Sequence, residues 1–332
     1  MKKTRVAVIG GGWSGERSIS LLTLKGVCHA LKGRGWDVDA VDLLPDRPAP
    51  RGATLRPSTP AFATGVRFSA LLGRLRRKKG TAVFLALHGT GGEDGRIQGF
   101  LDLAGIPYTG SGLLASALAM DKALAKLVLK SAGVPVPGGC VLPRGQYAPP
   151  ASFPLPAVVK PLAQGSALGV TIVRGPAQLK AALKEAWRWD TAALVEPYLA
   201  GRELTVGVLG MRALPVVEIV PEHVFYDFHS KYAKGGSRHL CPAPIPRAIA
   251  LKAQSLALRA HRALRCRAYS RTDLILGRTG RMHVLEVNTL PGLTSVSLLP
   301  DAARVAGLDY GELLEKMLDA SFKEAAWPST KA

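Results

Sequence analysis

Acidic residues are the scarce class in this chain: 24 Asp and Glu stand against 44 Lys and Arg over 332 residues, a formal net charge of +20. That imbalance leaves three readings open, namely nucleic-acid binding, polyphosphate substrates, or membership of a generally basic proteome. Cysteine is scarcer still. Cys28, Cys140, Cys241 and Cys266 form no CxxC pair and have no histidine at zinc spacing, which excludes a structural zinc site and marks them as reduced and mostly structural. No apolar run approaches the ~20 residues that cross a bilayer, so no membrane partner is expected. Met1-Lys-Lys-Thr-Arg5 leads straight into an apolar strand with no signal-peptide pattern, and a cytoplasmic location is the expectation. The chain has no internal repeat and no low-complexity segment. With 47% hydrophobic and 6% aromatic residues it has an ordinary globular composition, long enough for two or three domains.

The placement of the basic residues narrows the first three readings. Arg74-Leu-Arg-Arg-Lys-Lys79 follows the apolar Phe68, Leu71 and Leu72 and reads as a solvated helix C-terminus, where cations suit the dipole. From Pro246 to Arg281 there are nine Lys or Arg and one acid, Asp273, partly along a helix from Ile249 to Leu264. A nucleic-acid stripe would interleave stacking aromatics, and only Tyr269 is present, without any recognised nucleic-acid motif. No nucleic-acid partner is expected.

The chain opens with a strand, Val6 to Ile9, a glycine turn at 10–12, a helix from about Gly15 to Leu31 and a strand from Asp37 to Leu43. The same logic recurs where the apolar Thr81 to Leu87 empties into His88-Gly-Thr-Gly-Gly-Glu-Asp-Gly95 before a helix near Gly99 to Ala104. Two strands ending in glycine-rich turns predict a parallel sheet with ligands at its carboxyl edge. Pro45 to Pro60 reads as a long surface connection. One helix is predicted from Ser111, as N-cap, to Ala132, where Gly133 and Pro135 end it. After a proline-rich stretch come strands at Ala157 to Lys160, Val170 to Val173 and Ala193 to Glu196, with a helix from Pro176 to Trp189 between the last two. Strands at Glu203 to Leu209 and Leu214 to Val220 follow, then a polar loop from His223 to Arg238.

Near the C-terminus, Gly277-Arg-Thr-Gly280 reads as a hairpin turn between Thr272 to Leu276 and Met282 to Val287, bringing Asp273 and Glu286 together. Glu286 and Asn288 lie two apart and share a strand face. Two carboxylates and an amide suit Mg²⁺, which takes hard oxygen donors and shares them with substrate phosphates. A surface hairpin with solvated acids is the alternative, weakened by the apolar Val284, Leu285 and Val287 around them. Lys160-Pro-Leu-Ala-Gln-Gly-Ser-Ala-Leu-Gly169 joins a strand lysine to a glycine loop, which allows backbone N–H groups to close over phosphate; a tight hairpin with an exposed lysine is as good a reading of that motif alone. The Glu203 carboxylate could bind ribose hydroxyls.

Taken in order, Gly10-Gly-Gly-Trp-Ser-Gly-Glu16, Leu87 to Gly95, Tyr108-Thr-Gly-Ser-Gly112, Met120-Asp-Lys122, the Lys160 loop, Phe225-Tyr-Asp-Phe-His-Ser-Lys-Tyr232 and Glu286 to Ser297 resemble the ATP-grasp carboxylate-amine ligases over nearly the whole chain. The resemblance implies an α/β ATP-grasp fold, with an N-terminal Rossmann-like parallel-sheet domain (1–110, binding the first D-alanine) followed by two α+β lobes (111–200 and 201–332) that sandwich ATP. It implies ATP-dependent ligation of two D-alanines through a D-alanyl phosphate, with two Mg²⁺ for which Mn²⁺ can substitute, in a homodimer.

By the same resemblance, Asp273, Glu286 and Asn288 hold the metal, and Lys122, Lys160 and the loop residue Lys231 contact phosphates. Glu196 and Leu199 line the adenine pocket and Glu203 takes the ribose. Glu16 with His88 receives the first D-alanine. Arg271 and the Gly292 N–H stabilise the oxyanion, and Ser297 with Leu298 takes the second substrate's carboxylate. Ser166 and Tyr232 tie the loop shut with Glu16. A tyrosine at position 232 goes with D-alanine as second substrate, whereas relatives using D-lactate differ in that loop. Two departures from the family pattern stand out: Ala167 where a second serine is usual, and Ala268-Tyr-Ser270 in place of a glycine- and aromatic-containing run.

Overall fold

An uninterrupted apolar run suits a strand covered on both faces, and Val6, Ala7, Val8 and Ile9 are fully buried at the centre of β1 (Arg5–Gly11). The computed structural model describes residues 5–43, 68–77, 80–147, 153–221, 237–294 and 296–324. β2 (Asp37–Leu43) and β3 (Ala82–Leu85) flank β1, both parallel to it, in the order β2-β1-β3. α1 (Arg17–Gly33) makes the crossover between β1 and β2, α2 (Phe68–Arg76) precedes β3, and α3 (Arg96–Ala104) follows the glycine turn after it. The predicted parallel sheet is therefore present, with both glycine turns at its carboxyl edge. Arg74, expected to be solvated, instead donates to Asp39 at 2.7 and 3.2 Å and holds that carboxyl below the usual range, with help from Arg5.

The predicted single helix over 111–132 is two: α4 (Leu113–Met120) and α5 (Lys122–Ser131). Asp121 breaks it by leaving the helical region (φ −81°, ψ 101°) and accepting from the Ala123 and Leu124 N–H groups, each at 3.0 Å. A side chain that caps a new helix competes with continuing the old one. Ser111 is not the cap either; Gly112 holds that position.

The second sheet is antiparallel, in the order β4-β7-β5-β6: β4 (Cys140–Pro143), β5 (Ala157–Pro161), β6 (Thr171–Val173) and β7 (Ala192–Pro197), with α6 (Pro176–Trp189) on one face. The third runs β11-β10-β8-β12-β13, with the short β9 (Arg212–Ala213) attached to β8 (Gly201–Leu209). Its remaining strands are β10 (Val217–Pro221), β11 (Ser237–Leu240), β12 (Tyr269–Gly277) and β13 (Met282–Asn288), and α7 (Arg247–Ala263) packs behind it. α8 (Leu298–Val305) and α9 (Tyr310–Glu324) then return to the first sheet: Leu313, Leu314, Met317 and Leu318 are fully buried in the same core as Val6 to Ile9. The four cysteines are free thiols.

Candidate active site

β12 and β13 pair in a register that sets Asp273 opposite Glu286 and Arg271 opposite Asn288. Directly opposed carboxylates repel, so this pairing persists because cations surround it. Arg271 donates from Nε and Nη2 to the two Asp273 oxygens, both at 2.9 Å, and Asn288 Nδ2 donates to Asp273 at 3.0 Å. Thr205 on β8 adds a 2.6 Å hydrogen bond to the same carboxylate, and Lys122 Nζ stands 3.7 Å from Glu286. No three His, Cys, Asp or Glu side chains among the described residues gather to cage an ion alone. That donor set fits Mg²⁺, which completes its shell with phosphate oxygens and water.

Between the second and third sheets lies a cavity of about 380 Å³, walled by Val158, Leu199, Ile219 and Ile275 and carrying Lys160 and Glu203. Its size and mostly apolar lining with a few convergent polar groups are those of a cofactor-sized pocket. Glu196, 3% exposed, is gripped by two lysine side chains, Lys160 on β5 and Lys126 on α5. Lys122, the first residue of α5, donates to the Gln164 carbonyl in the glycine loop. Burial, then the neighbouring Lys160 and Lys122, drives the Lys126 pKa down to about 6, against the pull of the Glu286 carboxylate. Lys126 is therefore mainly a neutral amine at pH 7, and the two lysines that line the cavity itself, Lys122 and Lys160, are the cations it offers a polyphosphate. Sequence reading missed Lys126; four residues beyond Lys122 on a helix, a lysine reads as solvated.

A second, smaller cavity of about 70 Å³ is lined by Glu16, His88, Ser166, Arg271, Gly292, Ser297 and Leu298, all of them predicted, together with His239, which was not. Ser166 Oγ donates to Glu16, so the glycine loop is already closed onto the first glycine turn. Ser166 and Ala167 both adopt positive φ, 53° and 55°, an uncommon conformation for side chains with a Cβ. Ala268, the other departure, does so as well at 58°. Gly89, at φ +67°, has no room for a side chain, since a Cβ would stand 2.6 Å from Glu16 Oε2. His88 shares a 3.0 Å hydrogen bond with Thr23 and lies 3.5 Å from Glu93. Burial alone would lower the His88 pKa, but the Glu93 contact and the Glu16 charge outweigh it and raise it. At Gly292 a Cβ would meet Ser297 Oγ at 2.9 Å, and Ser297 is held by the Thr294 N–H at 3.0 Å.

The two cavities share Asp273, Gly165 and Ile219 in their walls, with Glu286 on the larger side and Asn288 on the smaller. Lys231 and Tyr232 fall outside the described residues, as do most of the polar loop and Pro45 to Pro60.

A family model described as the D-ala D-ala ligase C-terminus matches residues 129–319, and one described as its N-terminus matches 56–111. The D-alanine–D-alanine ligase of Citrifermentans bemidjiense is 43% identical over 321 residues, covering 97% of both chains. The chain belongs to the D-alanine–D-alanine ligase family. Within that family, the Gluconobacter oxydans ligase is 44% identical over 95% of this chain and 98% of its own. Among solved structures, the D-alanine–D-alanine ligase of Bacillus anthracis complexed with ATP superposes with a TM-score of 0.79 at 28% identity, covering 96% of this chain and 98% of that one. The VanG D-Ala:D-Ser ligase of Enterococcus faecalis also gives 0.79, at 29% identity over 96% of this chain and all of its own, so the same ATP-grasp fold serves a second amino acid.

Proposed function

We propose that the paired cavities are the active site of an ATP-dependent ligase that joins two D-alanines. The enzyme makes D-alanyl-D-alanine for peptidoglycan precursors, through a D-alanyl phosphate and with release of ADP and phosphate. The observation that carries the assignment of residues is the shared wall: a nucleotide-sized cavity and an amino-acid-sized one meet at Asp273, where a terminal phosphate and a substrate carboxylate would meet.

Phosphoryl transfer of this kind asks the protein mainly for position and charge. When bound, Mg²⁺ or Mn²⁺ neutralises phosphate charge, and Asp273, Glu286 and Asn288 would hold it. Lys122 and Lys160 face the phosphates, Glu203 accepts from the ribose hydroxyls, and Leu199 and Glu196 lie along the base. The Glu16 carboxylate, steadied by Ser166, pairs with the first D-alanine's ammonium, with His88 beside it. Asp273 fixes the Arg271 guanidinium at the mouth of the small cavity, where it and the Gly292 N–H stabilise the oxyanion formed as the second amine adds. Ser297 and the N-terminus of α8 receive the second D-alanine's carboxylate, in keeping with the anion preference of helix starts.

We divide the chain at 1–110, 111–200 and 201–332, one sheet to each part. Because the reaction consumes ATP, the cytoplasm is the proposed location, and a second copy of the chain the proposed partner. Glu286→Gln tests the metal assignment: phosphate release should fall at least about 100-fold with an unchanged circular dichroism spectrum. A variant that turns over normally contradicts it.

A further inference from the structure

The second half of the reaction needs a proton acceptor. An amino acid at neutral pH presents an ammonium, which has no electron pair to attack an acyl phosphate until one N–H bond is broken. Among the described residues, the titratable groups lining the small cavity are few, and most are committed. Asp273 accepts from Arg271, Asn288 and Thr205. Glu16 is bonded by Ser166 and faces the first substrate's side. Both ring nitrogens of His88 are engaged, Nε2 with Thr23 at 3.0 Å and Nδ1 facing Glu93 at 3.5 Å.

His239 remains. It sits on the edge strand β11, opposite Ile219, and lines the same cavity as Ser297, Gly292 and Arg271. Its Nδ1 lies 2.8 Å from Asp301 Oδ2. A carboxylate on Nδ1 fixes the tautomer that carries its hydrogen there, making Nε2 the acceptor. Nε2 has no hydrogen-bond partner among the described residues. Asp301 is one turn into α8 and donates its N–H to the Ser297 carbonyl at 3.1 Å. One helix therefore carries both the proposed carboxylate seat of the second amino acid and the group that orients the imidazole, and in an α-amino acid the ammonium is only one carbon from the carboxylate.

We infer that His239 is the general base of peptide-bond formation, with Asp301 as its positioning residue. Nε2 takes one proton from the second D-alanine's ammonium, and the freed electron pair forms the bond to the acyl carbon. The tetrahedral adduct then collapses. The bond between its acyl carbon and the bridging oxygen breaks while that oxygen stays on phosphorus, the leaving phosphate carries off the second nitrogen proton as hydrogen phosphate, and His239 returns its proton to solvent. The inference rests on reading the small cavity as the second-substrate site.

The test uses hydroxylamine, an amine largely unprotonated at neutral pH, which captures an acyl phosphate as hydroxamate without needing a base. In the full-length enzyme, His239→Gln should lower D-alanyl-D-alanine formation about 100-fold while hydroxamate formation from ATP, D-alanine and hydroxylamine stays within roughly twofold. Asp301→Asn should show the same split at about tenfold. Equal losses of both products in both variants, or loss of neither, overturn the assignment. Ser297→Ala separates the two ideas. If it leaves the KM for the second D-alanine unchanged, the cavity reading itself has failed; if it raises that KM while His239→Gln changes nothing, the base alone is wrong.

Discussion

At Lys126 a single amino group is shut from water against Glu196, beside the ammoniums of Lys122 and Lys160. The Lys126 amine occupies one Glu196 oxygen and Lys160 only the other, so Glu196 does not hold Lys160 through both oxygens and the ammonium stays available to phosphate. Lys126→Met should let Glu196 claim Lys160 entirely. The expected result is a KM for ATP raised about tenfold, near 1.4 kcal/mol, with the KM for D-alanine changed less than roughly twofold and partial rescue by Lys126→Arg. Equal rises in both constants would mean that the residue only supports the fold. Most of the site was legible residue by residue because its chemistry demands unusual company: Glu286 and Asn288 in an apolar strand, or Lys160 entering a glycine loop. Lys126 and His239 were not, because an amphipathic-helix lysine and a lone edge-strand histidine gain their meaning only from partners on other elements.

The elements repeat this pattern. The β12–β13 hairpin was readable to within a few residues, since alternation and a glycine turn are local signals. β4 was hidden at the start of a proline-rich stretch, and β11 adjoins a polar loop, so each depends on the neighbour it pairs with. The division of 111–132 at Asp121 is a contest between helix continuation and capping that composition alone does not decide. Its consequence bears on the proposed function, because it makes Lys122 and Lys126 members of the first turns of a new helix, with Lys122 lining the proposed nucleotide cavity. Asp121→Ala should cost about 1 kcal/mol, read as a lower urea midpoint at unchanged slope. An unchanged midpoint would show that tertiary packing alone holds the break.

Across the whole molecule, the first sheet does not close its own core. α9 returns from the far end of the chain to bury Leu313 and Met317 among Val6 to Ile9, and Arg34 on the α1 side donates to Glu315 at 2.8 Å. The glycine turns that carry Glu16 and His88 thus sit on a platform braced by the C-terminal helices that follow Ser297, so the proposed first and second substrate sites are built into one core. No sequence pattern announces a contact across some three hundred residues; only the assembled fold does. The net charge of +20 has no acidic counterpart along α7, and nothing in the site requires it there. The account as a whole stands on one reaction. Purified protein given Mg-ATP and D-alanine alone should release phosphate and form D-alanyl-D-alanine, identified by mass, with no product from L-alanine. ATP binding without that dipeptide, or preferential joining of D-alanine to D-serine or D-lactate in parallel reactions, would contradict it.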